Sequence, residues 1–450
     1  MTNEHFWSGE ALAHILAVAR ARSAGPWAVL GVTLAHAIAS IPHYVTLPGI
    51  VGGRMSANLF VAIVGPSGGG KGVAEAAALA GHRFGTAADV VPLGSGEGIG
   101  RTFRPIGTKP DDPNTVATAV FSAPEIDTVA ALSSRAGSTL SAELRKLYSG
   151  EQLGFGNAGN TTRNVVAAGS YRACLTVGVQ PLRAHALLDG ADGGLPQRFV
   201  WLPSSDPDAP DDPPADPGVR RIPRSLWQVD STLHVPDIAR AQIRAHRLAV
   251  LREDPTVNPL DGHALLTRLK VAAGLMALDG RTVVSDDDWN RAGYVMAVSD
   301  QTRARCQRTI TDQFRRTNTA RALATADRED IISDRKVQRA KQAILRWLDK
   351  ESPQTRNPLR GKLKHDLRDY FDTAAAELAD AGEITISPEQ NGKTEVHVYH
   401  RYTPQKHAPT SNDEGCTKST RVPLASPAAM PTQRPAIRTN NHTLHPTAAN

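Results

Sequence analysis

One glycine-rich segment constrains the fold of this chain more than any other feature. Residues 58–64 (NLFVAIV) are apolar and strand-like, residues 65–71 read GPSGGGK, and residues 72–80 (GVAEAAALA) favour a helix. The spacing is G-x-x-x-x-G-K, the pattern of a loop whose backbone N–H groups converge on phosphate at a helix N-terminus. The alternative is a glycine-rich turn that merely joins a strand to a helix. The lysine that ends the motif favours the phosphate-binding loop, or P-loop.

This P-loop predicts a nucleotide site with ATP as the ligand and Mg²⁺ as its metal ion. The predicted nucleotide-binding residues are Gly65, Pro66, Ser67, Gly68, Gly69, Gly70, Lys71 and Gly72. Lys71 is expected to reach the β- and γ-phosphate oxygens, whereas Gly72 stands where a serine or threonine hydroxyl usually coordinates Mg²⁺. The motif therefore favours binding more strongly than efficient hydrolysis, and it leaves open which nucleoside triphosphate is used.

Hydrolysis also requires a group that orients water and an acid that holds the metal. We expect both after the neighbouring strand, in the segment ATAVFSAPEID (117–127). Glu125 is predicted to polarise the attacking water. Asp127 is a candidate Mg²⁺ ligand, with capping of the following helix as the alternative. Pro124 occupies the position of the usual partner acid, so both metal-side positions of the motif are changed.

Two further polar residues lie at the ends of strand-like runs. Gln180 follows the apolar run 174–179 and is predicted to sense the γ-phosphate or hold the lytic water, with a loop hydrogen bond as the alternative. Arg198 follows a glycine-rich turn and is predicted to act across a subunit boundary as an arginine finger, which implies a homo-oligomer. The alternative for Arg198 is a structural salt bridge. Arg268 is a weaker candidate for contacting phosphate.

A chain of 450 residues is too long for one compact core. Apolar and helical runs alternate through the P-loop region, as an α/β P-loop NTPase core of the RecA/AAA type requires. Strands are predicted at 58–64, 117–122, 173–179 and 199–202. Helices are predicted at 238–251, at 262–278 as a strongly amphipathic helix, from about 286 toward 308, and separately at 335–348. The predicted domains are an N-terminal helical segment (1–50), the P-loop core (51–203), a Pro/Asp-rich linker (204–225), a helical lid (226–320), a winged-helix-like module (330–403) and a disordered tail (404–450).

The C-terminal module is predicted from its order of elements. Helical segments are followed by residues 384–400, which alternate apolar and polar on both sides of Asn391-Gly392, a strong hairpin signal. Helices followed by a hairpin are typical of a winged helix, and basic residues outnumber acidic ones from 303 to 368. A solvated helical surface is the alternative to a nucleic-acid surface. The residues predicted to contact DNA phosphates are Arg356, Arg360, Lys362, Lys364, Arg368 and the wing residue Lys393.

A second candidate nucleic-acid segment lies within the core. Residues 144–169 contain Arg145 and Lys146, then a Gly/Asn-rich turn, then Thr161-Thr162-Arg163. The segment is either a loop that follows a substrate strand electrostatically or a surface hairpin.

Cysteine usage and hydropathy favour a cytoplasmic protein without a membrane segment. The three cysteines, at 174, 306 and 416, are scattered and form no C-x-x-C pair, so neither a disulfide framework nor a zinc site is indicated. The apolar run 27–41 is short for a membrane span and contains His36, so it is interpreted as a buried helix. The N-terminus lacks the features of a signal peptide.

Taken in order, six segments resemble a family of P-loop ATPases found in bacteriophages, prophages and actinobacterial mobile elements. They are SANLFVAIVGPSGGGKG (56–72), LGSGEGI (93–99), SAPEID (122–127), LRKLYSG (144–150), TVGVQP (176–181) and GGLPQRFVWLP (193–203). This family, often described only by a domain of unknown function, is similar to the helicase half of primase-helicase replication proteins. The resemblance covers about residues 30 to 310. It implies that Lys71 holds phosphate, Glu125 is the catalytic acid, Gln180 the sensor and Arg198 the finger.

The sequence thus predicts a cytoplasmic, helicase-like ATPase that acts on single-stranded or duplex DNA in mobile-element replication. Family members commonly carry Ser/Thr at position 72 and Asp at position 124, and this chain has Gly72 and Pro124. Those two changes leave its status as an enzyme open. The alternative is a nucleotide-gated DNA-binding regulator with little or no hydrolysis. A third hypothesis assigns the C-terminal module to contacts with replication proteins.

Overall fold

The computed structural model describes residues 1–104, 116–133, 135, 138–156, 164–189, 193–223, 225–258, 261–391 and 394–402. The chain divides into two compact units, Met1–Ala326 and Asp327–Asn450. The predicted tail at 404–450, the turn residues Thr161–Arg163 and the wing residue Lys393 lie outside the described residues.

Helices in the first unit precede, interleave with and follow the strands. They are α1 (Asn3–Phe6), α2 (Glu10–Ala21), α3 (Pro26–Ala39), α4 (Lys71–Gly81), α5 (Gly96–Phe103), α6 (Ile126–Ser133), α7 (Leu140–Ser149), α8 (His185–Leu188), α9 (Asp237–Leu251) and α10 (Asp261–Leu278), with 3-10 helices at Pro181–Arg183 and Pro196–Arg198. A long helix, α11 (Asp286–Lys350), begins in the first unit and ends in the second. None of the helices in the described part of the chain combines the length and apolar character that crossing a membrane requires.

Strands of the first unit form one main sheet and two small pairs. They are β1 (Phe60–Val64), β2 (His82–Phe84), β3 (Asp89–Pro92), β4 (Thr118–Ala123), β5 (Leu153–Phe155), β6 (Asn164–Val166), β7 (Arg172–Val179), β8 (Phe199–Pro203) and β9 (Arg220–Ile222). The main sheet has the order β3-β4-β7-β1-β8, and all of its pairs are parallel. The predicted α/β core and its four predicted strands are confirmed.

The order of the sheet corrects one expectation. The strand that leads to Glu125, β4, is not the neighbour of β1, because β7 pairs with both and lies between them. Phe60 of β1 is instead opposite Leu175 of β7 on one side and Phe199 of β8 on the other. Parallel neighbours are joined by long crossovers, so chain order does not determine which strands are adjacent.

Both faces of the sheet are covered, which explains why its central strands are apolar throughout. Phe60, Ala62 and Val64 belong to one core, together with residues of α5 and α7. Val61 and Ile63 alternate with them and belong to a second core with α2, α3, α4 and α10. The predicted buried helix at 27–41 is confirmed, since α3 is buried along nearly its whole length. Gly31 makes this possible, because a Cβ there would lie 2.7 Å from the Val61 side chain.

A buried arginine that the sequence did not single out organises the chain before β1. Arg172, at the start of β7, is fully buried. Its guanidinium donates to three backbone carbonyls in the loop after α3, those of Ile41, Pro42 and Val45, at 2.6 to 3.1 Å. It also donates to the Ser56 hydroxyl at 2.7 Å. These bonds hold residues 41–56 against the amino end of the sheet.

The helices after the sheet differ from expectation in two respects. From Leu269 to Leu278, α10 is buried on all sides rather than amphipathic. The two helices predicted near 286–308 and 335–348 are parts of the single helix α11. Neither glycine nor proline occurs between Tyr294 and Lys350, so nothing in the sequence interrupts it.

Hairpin segments and the Pro/Asp-rich stretch pack close to their neighbours. Of the two alternatives for residues 144–169, the structure agrees with a hairpin, because β5 and β6 pair antiparallel. Asp206 pairs with Arg20 at 3.1 Å and Asp216 with Arg22 at 2.6 Å, which attaches the Pro/Asp-rich stretch to α2. β9 then pairs with β2.

The second unit has its own core. The end of α11 is followed by β10 (Gln354–Thr355), α12 (Arg356–Gly361), a 3-10 helix (His365–Tyr370), α13 (Phe371–Asp380), β11 (Ile384–Asn391) and β12 (Thr394–Arg401). The three strands form an antiparallel sheet in the order β10-β12-β11. The predicted hairpin over 384–400 is confirmed, with 384–391 paired to 394–401 and Asn391 in the first strand. Phe371 and Leu378 of α13 pack with Tyr399 of β12 and with the end of α11 in one cluster.

Candidate functional site

The glycine-rich loop lies between the carboxyl end of β1 and the first residue of α4. Gly70 immediately precedes α4 and has a φ of +76°, a left-handed conformation that glycine adopts without strain. The N-terminus of α4 has no side-chain cap. Its first N–H groups are therefore available to an anion, which the helix dipole also favours.

Lys71 folds back over this loop. Its ammonium donates to the carbonyl oxygens of Pro66 at 2.7 Å and Gly65 at 3.1 Å. Partial burial lowers the pKa of Lys71, and the negative charge of Glu125 opposes that effect. The lysine therefore places a positive charge at the mouth of the loop, within electrostatic range of the Glu125 carboxylate.

Ser204, a residue that sequence reasoning missed, supports the loop from β8. Its backbone N–H donates to Val64 at 2.8 Å, and its hydroxyl donates to the Gly69 carbonyl at 2.5 Å. A Cβ on Gly65 would lie 2.0 Å from the Ser204 Oγ, so only glycine permits this approach. In the sequence, the only sign of this role is that Ser204 directly follows the strand-like run that forms β8.

Two predicted catalytic residues lie at the same edge of the sheet as Lys71. Glu125 follows β4 and is exposed, and Gln180 follows β7 and is half-buried. The N–H of Gly65 donates to Val179 at 3.0 Å, which joins the loop to the end of β7. The structure therefore places Lys71, Gln180 and Glu125 after the carboxyl ends of β1, β7 and β4, which are adjacent in the sheet.

Gly178 controls how closely these strand ends approach one another. A Cβ at this position would lie 1.9 Å from the Pro124 carbonyl oxygen and 3.6 Å from Cδ of Lys71. The segment before Glu125 and the Lys71 side chain thus both pass over the bare backbone of β7. Sequence reasoning assigned Gly178 only to a strand, because its role depends on contacts between distant segments.

The metal-side residues give a mixed result. Asp127 forms an ion pair with Arg183 at 3.3 Å, and both side chains are about half exposed. Ser122 donates to Glu75 of α4 at 3.2 Å, so a further carboxylate lies between α4 and β4. Among the described residues, no group of three or more His, Cys, Asp or Glu side chains is arranged to hold a metal. Because Mg²⁺ usually keeps several waters and takes one or two carboxylates with substrate phosphates, this edge fits such a partial site.

Arg198 lies at the opposite edge of the sheet from Lys71. It precedes Phe199, which pairs with the first residue of β1, whereas the loop follows the last residue. Five residues of parallel strand span about 16 Å. The Arg198 guanidinium donates to Gly193 at 2.7 Å, lies over the Tyr148 ring, and is 9% exposed. Burial lowers its pKa. A role for Arg198 at its own loop is therefore incompatible with this geometry, and a role at a neighbouring subunit stays a prediction.

Arg268 has a structural environment. Its guanidinium stacks 3.9 Å from the centre of the Trp289 ring and donates twice to the Trp289 carbonyl, at 2.9 and 3.1 Å. These contacts join α10 to α11. They explain the presence of Arg268 by its packing, so no phosphate contact is needed to explain it.

Most cations predicted to contact DNA already have partners within the second unit. Arg356 donates to Asp372 at 2.9 Å, and Arg360 donates to the Arg368 carbonyl at 3.0 Å. Lys362 pairs with Glu351 at 2.7 Å, and Arg368 donates to the carbonyls of Leu363 and Gly361. Lys364 is exposed and makes no ion pair with any residue in the described part of the chain.

The chain matches no protein-family model and no curated protein. Its function is therefore inferred from the site itself. At the carboxyl edge of the sheet, an uncapped helix N-terminus, a lysine, a carboxylate and an amide converge. In open α/β sheets this edge is the usual place for a ligand.

Proposed function

We propose that residues 65–72 bind the phosphates of ATP with Mg²⁺ and that the chain is a DNA-dependent, helicase-like ATPase with a P-loop NTPase core. The observation that carries the proposal is the position of Lys71 over the uncapped N-terminus of α4, beside the ends of β7 and β8. From β1 the chain crosses to the β3 side of the sheet, and β8 lies on the other side. Such a switch in strand order creates a crevice for a ligand.

The residues at this edge would divide the work of binding and hydrolysis. The backbone N–H groups of the loop and of α4 would bind phosphate oxygens, and Lys71 would exchange the carbonyls of Gly65 and Pro66 for phosphate oxygens. Glu125 would orient the attacking water, and Gln180 would contact the γ-phosphate or that water. Mg²⁺ would neutralise phosphate charge, with Glu125 or Asp127 as the nearby carboxylates.

A nucleotide-gated regulator is the second candidate, and specific residues favour it. Gly72 has no hydroxyl, Pro124 has no carboxylate, and Asp127 is engaged by Arg183. A chain with these residues would bind ATP and change its affinity for DNA with little turnover. The ATPase is favoured by one feature of the same position. A Cβ at Gly72 would meet no other segment within 4 Å, so a water has room to take the place of the missing hydroxyl as a Mg²⁺ ligand.

DNA binding and assembly complete the proposal. The second unit, with its helices and β-hairpin, is proposed to be a winged-helix-like module in which Lys364 contacts phosphate, and Lys393 would add to it. Replication proteins are proposed as further partners. A head-to-tail homo-oligomer is proposed as well, in which Arg198 would have to leave Gly193 and the Tyr148 ring to reach a neighbour's loop.

The test is an ATP-binding and ATP-turnover assay with and without single-stranded or duplex DNA. The ATPase proposal predicts turnover that DNA stimulates, loss of ATP binding in Lys71→Ala, and retained binding without turnover in Glu125→Gln. ATP binding without turnover in the unmodified chain under every condition would favour the regulator. Equal ATP binding by the unmodified chain and Lys71→Ala would refute both.

A further inference from the structure

A cavity of about 450 Å³ at the end of β8, the strand whose following residue supports the glycine-rich loop, has no role in the chemistry described above. Its wall contains three aromatic side chains, Trp7, Trp27 and Tyr294, and the cations Arg305 and Arg308 of α11. We call it the aromatic cavity. All of its lining residues belong to the first unit.

The wall of this cavity is continuous with the support of the loop. Pro203 lines the cavity and pairs in register with Val64, the residue before the loop. The next residue, Ser204, donates to Gly69. On the other side, a Cβ on Gly25 would lie 2.3 Å from the Ser204 carbonyl oxygen, and the cavity residue Trp27 follows two positions later. Because neighbouring strands lie about 4.8 Å apart, Pro203 places the cavity wall one strand away from the residue that precedes the loop.

The aromatic wall is preorganised. Ring centres are 4.8 Å apart for Phe6 and Trp27, 5.0 Å for Trp7 and Trp27, and 5.9 Å for Trp27 and Tyr294. Only 5% of the residues in the chain are aromatic, yet α1, α3 and α11 bring these four into one cluster. Aromatic faces held in this way can stack against a flat ring without a large loss of side-chain entropy.

The charged residues add a preference for an anionic or oxygen-rich ligand. Arg20 is already paired with Asp206 at 3.1 Å, and Asp208 also lines the cavity, so three arginines face two aspartates there. Arg305 and Arg308 are exposed, and neither forms an ion pair with a carboxylate among the described residues. They are therefore free to contact ribose or phosphate oxygens.

We propose that the aromatic cavity receives the base and ribose of the nucleotide whose phosphates the loop holds. This inference rests on the proposed function, because it assumes a nucleotide at Lys71. A volume of about 450 Å³ is within the range of cavities that take small organic ligands. The ligand class is a nucleoside triphosphate that is recognised at both ends, by stacking at the base and by the loop at the phosphates.

The test compares ATP with inorganic tripolyphosphate, which has the phosphates and no base. Calorimetry on the full chain with Mg²⁺ should show about tenfold weaker ATP binding for Tyr294→Ala, unchanged tripolyphosphate binding, and near-normal ATP binding for Tyr294→Phe. Lys71→Ala should weaken both ligands. If Tyr294→Ala binds ATP normally, or loses both ligands equally, while Lys71→Ala loses both, the cavity proposal fails and the proposed function stands. If Lys71→Ala loses neither, the proposed function fails.

Tryptophan fluorescence provides a second measurement that does not depend on how well Tyr294→Ala folds. ATP should quench emission from the unmodified chain, and tripolyphosphate should not. Trp27→Phe should remove most of that quenching. Trp347→Phe is the matched control, because Trp347 lies in the second unit, and it should keep the quenching. Equal quenching in Trp27→Phe and the unmodified chain would overturn the proposal.

Discussion

The hydroxyl group of Ser204 donates to the carbonyl oxygen of Gly69 at 2.5 Å and so joins the end of β8 to the glycine-rich loop. Gly65 lies so close to the same hydroxyl that it has no room for a side chain. The loop is therefore fixed both by α4, which follows it directly, and by Ser204 at the end of β8, which lies 135 residues after Gly69 in the sequence. A substitution at Ser204 should therefore alter the conformation of the loop, although Ser204 lies outside the motif.

Ser204→Ala tests this support. The variant loses a buried hydrogen bond and should unfold with about 1 kcal/mol less free energy. ATP affinity should fall several-fold, because the loop is no longer held in place. Chemical denaturation and calorimetry measure the two effects. Ser170 is the control, because its exposed hydroxyl also donates to a carbonyl, that of Ala167, and Ser170→Ala should change neither quantity. Similar behaviour of the two variants would contradict a supporting role for Ser204.

Gly72→Ser tests whether the missing hydroxyl limits turnover. A Cβ at this position would meet no other segment of the chain within 4 Å, so the substitution should fold normally. If Mg²⁺ binds there, the restored ligand should raise turnover about tenfold, equivalent to about 1.4 kcal/mol of barrier. Gly72→Ala is the matched control and should not raise it. A Mg²⁺ titration of ATPase activity distinguishes the two, and no difference between them would place the metal elsewhere.

Gly178→Ala tests the packing of the strand ends. The added methyl group would lie 1.9 Å from the Pro124 carbonyl oxygen, so the ends of β4 and β7 must separate. We expect a loss of about 3 kcal/mol in the free energy of unfolding, the cost of overpacking a rigid site. Denaturation curves for Gly178→Ala and Gly72→Ala provide the comparison. Normal stability of Gly178→Ala would show that the strand ends are further apart.

Acid stability should depend on His36 of α3. Burial lowers the pKa of His36 from 6.5 to about 4. The unfolded chain therefore takes up a proton as the pH falls below 6.5 while the folded chain does not, so stability is lost between pH 6.5 and about 4. The contribution at pH 4 is about 3 kcal/mol.

His36→Leu should accordingly lose less stability than the unmodified chain when the pH is lowered from 7 to 4.5. His82, whose pKa is also lowered to about 4 by burial, should continue to contribute in both proteins. His185 is exposed, and His185→Leu is the control. Urea denaturation across this pH range provides the measurement. Parallel pH profiles for His36→Leu and the unmodified chain would refute the prediction.

Lys364 and Arg356 should differ in their effect on DNA binding. Lys364 is exposed and unpaired with any described carboxylate, whereas Arg356 is engaged by Asp372. Lys364→Ala should reduce the slope of log affinity against log salt by about one, the effect of losing one phosphate contact. Arg356→Ala should leave the slope unchanged and lower the stability of the second unit by up to about 1 kcal/mol. An unchanged slope for Lys364→Ala would remove it from the proposed interface.

The local sequence was sufficient to predict the strand, the glycine-rich loop and the helix that form the phosphate end of the candidate site. The apolar run before Gly65, the glycine-rich motif and the alanine-rich helix after it are adjacent in sequence, so their order in space follows from backbone preferences alone. The two strands of the β-hairpin were equally predictable from the alternation on both sides of Asn391-Gly392. Their register was not, since Asn391 pairs with Thr394 and belongs to the first strand.

Tertiary structure alone decided the relationships between distant segments. That β7 separates β1 from β4, that Arg198 lies at the edge opposite Lys71, and that Ser204 supports Gly69 all depend on which strands pair. The gathering of Trp7, Trp27 and Tyr294 likewise depends on how three helices pack. Turns and periodicities are set by neighbouring residues, whereas strand order is chosen by burial summed over the whole core, which no short segment encodes.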